Sequence, residues 1–127
     1  MSQWMCGPEN GSVASFGRMT ETVIRAGDDV ATVINVFETQ PDKQQELVGV
    51  LNEGLDKVVR HRPGFVSATI LASKDGSKVV NYAQWRSPAD AQATFGDPAV
   101  QEYGKKAAAL GTPAPGVYSV DSVTLAP

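Results

Sequence analysis

Two residue types that dominate metal and redox chemistry are almost absent from this chain. Its 127 residues contain a single cysteine, Cys6, and a single histidine, His61. One cysteine excludes a disulfide framework and a cysteine zinc site within one chain. With one histidine besides, a metal site would have to rest on carboxylates or on a second chain, so we expect no metal.

Long apolar runs and an excess of basic charge are missing as well. No apolar run is long enough to cross a bilayer, and no signal peptide is recognisable at the start of the chain. The net charge is −3 and the pI is about 5.0, whereas nucleic acids and anionic membranes select basic patches. We therefore expect a cytoplasmic protein that binds neither nucleic acid nor membrane.

What remains is ordinary for one globular domain. The chain is 42% hydrophobic and 20% charged, and its length suffices for one core. Residues 1–28 are rich in Gly, Ser, Asn, Thr and Met without a sustained period. They are predicted to form an N-terminal extension, partly disordered or lying on the surface, with a possible short strand at 22–25. Residues 29–127 are predicted to form the folded domain.

The order of predicted elements in residues 29–127 indicates a fold class. Alternating apolar residues, an Asp-Gly turn, Ser-Pro and Asp-Pro helix starts and the Gly/Pro-rich stretch 111–116 mark the boundaries. The predicted elements are a strand at 31–39, a helix from 41 to about 62, strands at 63–72 and 79–85 joined by a hairpin turn at 74–77, helices at 88–95 and 99–110, a loop at 111–116 and a strand at 117–125. This strand–helix–strand order, repeated once, predicts an α+β, ferredoxin-like split β-α-β fold with an antiparallel sheet. Helices on one face would leave the other bare, which predicts a homodimer.

The strand at 79–85 carries the most informative side chains. Alternation places Asn81, Ala83 and Trp85 on one face and Val80, Tyr82 and Gln84 on the other. An amide and an indole N–H beside an apolar wall suit a flat aromatic ligand that bears oxygen. The alternative is a core tryptophan beside a satisfied core asparagine. Periodicity does not decide which of the two sets faces the bare side of the sheet.

The neighbouring strands extend this pattern. In the first strand the alternation groups Val33, Asn35 and Phe37 on one face. In the second strand the same alternation groups Phe65 with Ser67, Thr69 and Leu71.

Four stretches together resemble a known family. They are Val33–Phe37, Pro63–Ala68, Asp75–Gly76 and Val79–Trp85. They look like the antibiotic biosynthesis monooxygenase (ABM) family over about residues 31–125, and the string Asn-Tyr-Ala-Gln-Trp is similar to its anthrone monooxygenase branch in aromatic polyketide biosynthesis. The resemblance implies a dimeric α+β barrel that oxidises a polycyclic aromatic, anthrone-like polyketide or related phenol with molecular oxygen. It also implies that no cofactor is used and that Asn81 and Trp85 are the catalytic residues.

Further candidates for substrate binding accompany that pair. They are Asn35, Phe37, Phe65, Leu71, Tyr82, Arg86, Tyr103 and Tyr118. Leu71 stands where this branch often has a histidine, and Ala91 matches a tyrosine on the helix after the tryptophan. Tyr82, Tyr103, Tyr118 and Arg86 are the candidate replacements for these proton-transfer groups. Each also has a simpler interpretation, as a packing aromatic or a solvated charge.

Two alternative functions remain open. The first is a non-catalytic dimeric protein that binds a small aromatic molecule, because the histidine and the tyrosine are missing. The second is haem binding and degradation, which some relatives perform with an asparagine on the first strand, a tryptophan on the third and a later histidine ligand. Asn35 and Trp85 match that set, but no histidine follows His61.

Overall fold

The computed structural model describes residues 20–27 and 29–127. The elements are β1 (Ala31–Glu38), α1 (Gln44–Lys57), a 3-10 helix (Val59–His61), β2 (Phe65–Ala72), β3 (Lys78–Trp85), α2 (Pro88–Phe95), α3 (Pro98–Ala108) and β4 (Thr112–Tyr118). The strands form one sheet in the order β2-β3-β1-β4, with antiparallel neighbours. The helices lie on one face of this sheet, so the predicted α+β, ferredoxin-like fold is confirmed.

Local capping explains where the two later helices begin. The Ser87 hydroxyl accepts a hydrogen bond from the Asp90 backbone N–H at 3.1 Å, and the Asp97 carboxylate accepts one from the Ala99 N–H at 2.8 Å. Each cap is followed by proline at the first helical position. These bonds satisfy amides that have no partner within the helix. Both helix starts were predictable because the cap and its partner lie within three residues.

The β2–β3 hairpin is held by the side chain of Asp75. Its Oδ1 atom accepts hydrogen bonds from the hydroxyls of Ser77 and Ser73, at 2.7 and 2.9 Å, and from the Ser77 backbone N–H at 2.9 Å. These bonds, those from Ser77 first, lower the pKa of Asp75 from 3.8 to about 2. Gly76 supplies the positive φ of +81°. The predicted turn at 74–77 is confirmed.

The face assigned to Phe65 was wrong. The pairing of β2 with β3 shifts between Phe65, which lies opposite Trp85, and Ser67, which lies opposite Gln84. The extra residue, Val66, forms a β-bulge and reverses the alternation at this point. Phe65 therefore lies on the helix-covered face, whereas Ser67, Thr69 and Leu71 lie on the other face.

The position of the last strand was also wrong. β4 covers Thr112–Tyr118, most of which was predicted to be a loop, and the chain beyond Tyr118 is not a strand. Pro113 and Pro115 lack N–H groups, which is why the segment reads as a loop. β4 is an edge strand, however, and an edge strand tolerates proline.

The core on the helix-covered face consists of two clusters. The first contains Ala31, Val33, Ala83, Trp85 and Ala91, and the second contains Phe37, Leu47, Val79 and Ala107. All are at most 7% exposed. Between the two clusters the packing is incomplete, and this gap positions the candidate site.

The opposite face of the sheet is open except where residues 20–27 cross it. We call it the open face; on β3 it carries Val80, Tyr82 and Gln84. The Gln84 side chain donates to the Val23 carbonyl at 2.9 Å and accepts from the Ser67 hydroxyl at 3.1 Å. No strand forms at 22–25, in contrast to the prediction. The rest of the predicted extension, residues 1–19 and 28, lies outside the described residues.

Candidate active site

A largely apolar cavity of about 390 Å³ lies between the sheet and the helices. This volume is at the low end of the range for small-molecule sites, about 300–1,000 Å³. The predicted site residues that line it are Asn35, Phe37, Asn81, Trp85 and Tyr103. Side chains from both core clusters complete the wall. The Asn81/Trp85 face of β3 is therefore the helix-covered one.

Trp85 contributes a tightly packed aromatic ring to the cavity lining. Its ring is 1% exposed and lies between two other aromatic rings, Phe65 at 5.3 Å and Phe95 at 6.1 Å between centroids, both edge to face. Such contacts hold the indole in one orientation. The indole Nε1 atom is buried and has no hydrogen-bond partner among the described residues.

Asn81 shares this property. Its Oδ1 atom is buried and lacks a partner among the described residues. An unsatisfied buried polar atom costs about 1–3 kcal/mol, so two of them on one face of β3 are unusual in a core without a function. A ligand that offers matching oxygen and hydroxyl groups would recover that free energy. The interpretation of Asn81 as a satisfied core asparagine does not fit this geometry.

Asn35 lies directly opposite Asn81 in the β1–β3 pairing. Its Oδ1 atom accepts a hydrogen bond from the Ala114 backbone N–H at 3.0 Å. Because a backbone N–H can only donate, this bond fixes which end of the Asn35 amide is the oxygen. The NH₂ group is left as a donor. The Asn35 side chain thus connects β4 to the cavity. It also places a second side-chain amide opposite Asn81.

Tyr103 brings the only titratable side chain into the described lining of the cavity. Its hydroxyl donates to Glu53 Oε2 at 3.1 Å, and Lys57 Nζ lies 3.2 Å from the same oxygen. Burial, followed by the hydrogen bond to Glu53, raises the pKa of Tyr103. The hydrogen bond from Lys57, followed by that from Tyr103, lowers the pKa of Glu53. The Tyr103 hydroxyl is therefore protonated at neutral pH. The residue lines the cavity but does not act as a base.

Five predicted substrate-binding residues do not line the cavity. Leu71, Tyr82 and Tyr118 are on the open face, and Leu71 and Tyr118 are 51% and 52% exposed. Arg86 is exposed just after β3. Phe65 reaches the site only indirectly, by packing against Trp85. These residues were predicted from the alternation of side chains along the strands or from their position next to Trp85 in the sequence. Neither criterion shows which face of the sheet the helices cover.

Sequence reasoning missed the helical part of the wall. Gly54 and Leu55 on α1, Phe95 on α2, and Val100 and Gly104 on α3 all line the cavity. The spacing of Val100, Tyr103, Gly104 and Ala107 is helical and could have indicated one buried face. Ala91, which matches the family's tyrosine, is 3% exposed and packs in the cluster around Trp85. That position leaves little room for a larger side chain.

Residues 20–27 and 29–127 contain no group of three or more His, Cys, Asp or Glu side chains that could hold a metal ion. Within the same residues, no helix is long and apolar enough to cross a membrane. His61 is exposed in the 3-10 helix, and no histidine or cysteine of the described residues lines the cavity.

Comparison with known proteins identifies the family. Residues 30–106 match the model of the family described as antibiotic biosynthesis monooxygenase, which is more than half of the chain. The chain belongs to the antibiotic biosynthesis monooxygenase family. Tetracenomycin-F1 monooxygenase of Streptomyces glaucescens is 49% identical over 80 residues, which are 63% of this chain and 71% of that protein. The predicted family and the predicted monooxygenase class are confirmed.

Solved structures of ABM proteins share the fold. The monooxygenase ActVA-Orf6 of Streptomyces coelicolor, in complex with nanaomycin D, is 33% identical with a TM-score of 0.66, covering 77% of this chain and 92% of that one. SnoaB of Streptomyces nogalater, a cofactor-independent oxygenase, is 23% identical with a TM-score of 0.65, covering 75% and 96%. At that identity SnoaB supports the fold alone.

Proposed function

We propose that this ABM protein oxidises a flat, anthrone-like aromatic polyketide or related phenol with O₂ and without a cofactor. The observation that carries the proposal is the pair of buried, unpartnered polar atoms, Trp85 Nε1 and Asn81 Oδ1, on one face of β3 in an apolar cavity. The relative that acts on tetracenomycin F1 and the relative that binds nanaomycin D support a polyketide ligand.

The reaction needs nothing beyond the substrate and O₂. The methylene carbon of an anthrone loses a proton, and the resulting carbanion transfers one electron to O₂. The carbon radical and superoxide combine to a peroxide, which takes up a proton and loses water to leave a carbonyl. Overall, CH₂ and O₂ give C=O and H₂O. All four electrons come from the substrate, so no external reductant is needed.

The protein contributes binding and electrostatics. Negative charge develops on the substrate's ring oxygen when the carbon is deprotonated. The Trp85 N–H and the NH₂ groups of Asn81 and Asn35 can donate hydrogen bonds to this oxyanion in an apolar site. The unpartnered Asn81 Oδ1 atom is an acceptor and suits a hydroxyl group of the substrate. The aromatic and aliphatic walls limit the amount of water around the bound ring system. Asn81 and Trp85 are thus proposed as catalytic residues, and Asn35, Phe37 and Tyr103 as substrate-binding residues.

We assign removal of the substrate's methylene proton to solvent and not to a side chain of the protein. The described lining contains no carboxylate, histidine or lysine, and the Tyr103 hydroxyl is engaged with Glu53. The rate should therefore rise with pH along the ionisation curve of the substrate. Two anthrones that differ in acidity should give profiles displaced by the difference in their own pKa values. An identical inflection with both substrates would reveal an enzyme base and contradict this assignment.

Oxygen uptake with anthrone tests the proposal. Turnover should persist after exhaustive chelation and without flavin or haem, and ¹⁸O₂ should label the new carbonyl. The control is Gln92→Ala, which changes an exposed residue of α2 that does not line the cavity. If the rate does not exceed spontaneous air oxidation for several aromatic phenols, while those phenols still bind, the non-catalytic binding protein is the correct function. A haemin-induced Soret shift would instead support the haem alternative.

The proposal includes a homodimer formed by the open faces and a cytoplasmic location. Ile34, Val36 and Val80 are half-buried on this face, beside the exposed Leu71. No further layer of the described chain covers this part of the sheet. A lasting interface buries at least about 1,000 Å².

Light scattering at micromolar concentration tests the dimer. The expected mass is twice that of the 13.4 kDa chain. Leu71→Lys should give monomers, whereas Gln92→Lys, on the exposed side of α2, should not. A monomeric mass for the wild-type protein would contradict this part of the proposal.

A further inference from the structure

Gly54 in the last turn of α1 is the residue on which this inference rests. Glycine is unfavourable inside a helix compared with alanine, because it loses more conformational freedom on folding. Its presence at a buried position therefore calls for a steric reason. A Cβ atom at residue 54 would lie 3.0 Å from Tyr103 Cγ and 3.2 Å from Tyr103 Cβ. The glycine thus lets the Tyr103 side chain lie directly against the backbone of α1.

Tyr103 is held at both ends. Its ring packs on Gly54, and its hydroxyl donates to Glu53 Oε2 at 3.1 Å, one residue earlier on the same helix. Lys57 Nζ lies 3.2 Å from the same Glu53 oxygen, and Lys106 Nζ lies 5.1 Å from the Tyr103 ring centroid. Tyr103 also lines the cavity. The position of this ring therefore sets the distance between the α1 wall and the α3 wall.

We propose that the contact between Gly54 and Tyr103 sets the width of the cavity and so limits the size of the aromatic ligand. In this arrangement Gly54 is a positioning residue and Tyr103 is a specificity-determining residue. A side chain at residue 54 would displace the tyrosine ring away from α1. The adjacent open space is the cavity itself, so the displaced ring would narrow it. Ligands with the most fused rings would lose affinity first. This proposal rests on the proposed function only in taking the ligand to be a fused aromatic.

Gly49 provides a matched control on the same helix. A Cβ at residue 49 would meet nothing within 4 Å, and the residue does not line the cavity. Gly49→Ala therefore reports the helix-propensity gain alone. Gly54→Ala combines the same gain with the contact to Tyr103. Because Gly54→Ala could also weaken folding, a Tyr103→Ala variant and the double variant complete a cycle that isolates the contact.

Binding is measured by quenching of Trp85 fluorescence in a Trp4→Phe background, in which Trp85 is the remaining tryptophan. The probes are hydroxylated quinones of two, three and four fused rings, which are already oxidised, so binding is read without turnover. Gly54→Ala should lower affinity for the four-ring probe about tenfold more than for the two-ring probe, as misfit of one small group does in a packed pocket. Gly49→Ala should leave this ratio unchanged. In the Tyr103→Ala background, adding Gly54→Ala should change neither the ratio nor the melting temperature beyond the effect of Gly49→Ala.

A Gly54→Ala variant with an altered melting temperature but an unchanged affinity ratio would overturn the proposal, since the contact would then only stabilise the fold. A changed ratio in a protein that fails to oxidise anthrone would support this proposal while refuting the proposed function. If the wild-type protein binds none of the three probes, both are refuted.

Discussion

Replacement of Trp85 by phenylalanine separates the hydrogen-bonding role of the indole from its packing role. The ring is 1% exposed, and its Nε1 atom is buried without a partner among the described residues. Removing the N–H relieves an unsatisfied donor that costs about 1–3 kcal/mol. The smaller ring forfeits roughly two CH₂ equivalents, about 1.6 kcal/mol. The two effects nearly cancel, so the free energy of unfolding should change by less than about 1.5 kcal/mol.

Trp85→Ala provides the contrast. It removes the ring contacts with Phe65 and Phe95 as well as the N–H. Its expected cost is about 3–5 kcal/mol of stability. If Trp85 lines the ligand site, the affinity per folded molecule should also fall in this variant, by more than the folded fraction explains.

The consequence of Trp85→Phe for binding should depend on the ligand. A hydrogen bond from the indole to a neutral carbonyl contributes about 0.5–1.5 kcal/mol, and one to an ionised oxygen about 1.5–3 kcal/mol. At about 1.4 kcal/mol per tenfold, the affinity should fall about two- to tenfold for a neutral quinone. For an ionised phenol the loss should be about 10- to 100-fold. A ligand of the same shape without oxygen should bind both proteins almost equally.

Calorimetric titration with 1,8-dihydroxyanthraquinone and with anthracene measures this difference. Both are three-ring compounds, so they share the apolar contacts. Denaturant unfolding of the same samples corrects for the folded fraction. Equal losses for both compounds would show that only the ring shape matters, and no loss for either would place Trp85 outside the binding contacts. Either result would refute the assignment of the indole as an oxyanion donor.

Three further outcomes are expected. Asn81→Ala should lower turnover about 100- to 1,000-fold with a smaller effect on ligand affinity, because a donor to a developing oxyanion acts mainly in the transition state; equal losses in both would contradict this. The Asp75 carboxylate has its pKa lowered to about 2, so its contribution to stability is complete above about pH 4 and disappears as the pH falls towards 2. The wild-type protein should accordingly have a higher melting temperature than Asp75→Asn at pH 7, and this difference should disappear near pH 2. A difference that does not change with pH would exclude the Asp75 carboxylate as its cause. Gly64→Ala should destabilise by about 1–3 kcal/mol, since φ is +82° and the new Cβ would meet the Asp90 side chain, whereas Gly49→Ala in an open helical position should not; equal denaturation midpoints for the two variants would contradict this.

Short-range chemistry made much of the fold predictable. The Asp75–Gly76 turn and the caps at Ser87 and Asp97 each depend on atoms within a few residues, and the structure has all three where the sequence places them. The alternation along β3 likewise follows from backbone geometry alone. The pairing of Asn81 with Trp85 on one face was therefore determined locally. The family and its chemistry came from resemblance and not from these patterns.

Other features depend on residues distant in the chain. The bulge at Val66 moves Phe65 to the face of Trp85, and its cause is the register with a different strand. β4 forms through Pro113 and Pro115 because it is an edge strand and because Asn35, far earlier in sequence, accepts the Ala114 N–H. Neither partner is visible from the local pattern.

The sequence by itself determined which side chains share each face of β3, since that is a property of one extended backbone. Only the tertiary structure decided that the helices cover Asn81 and Trp85 and leave Tyr82 on the open face. It also decided that the Tyr103 hydroxyl turns to Glu53 on α1 and does not serve as a free acid or base. The physical reason is that burial and hydrogen bonding depend on which elements pack together. The alternation of side chains along a strand does not show which of its two faces is packed.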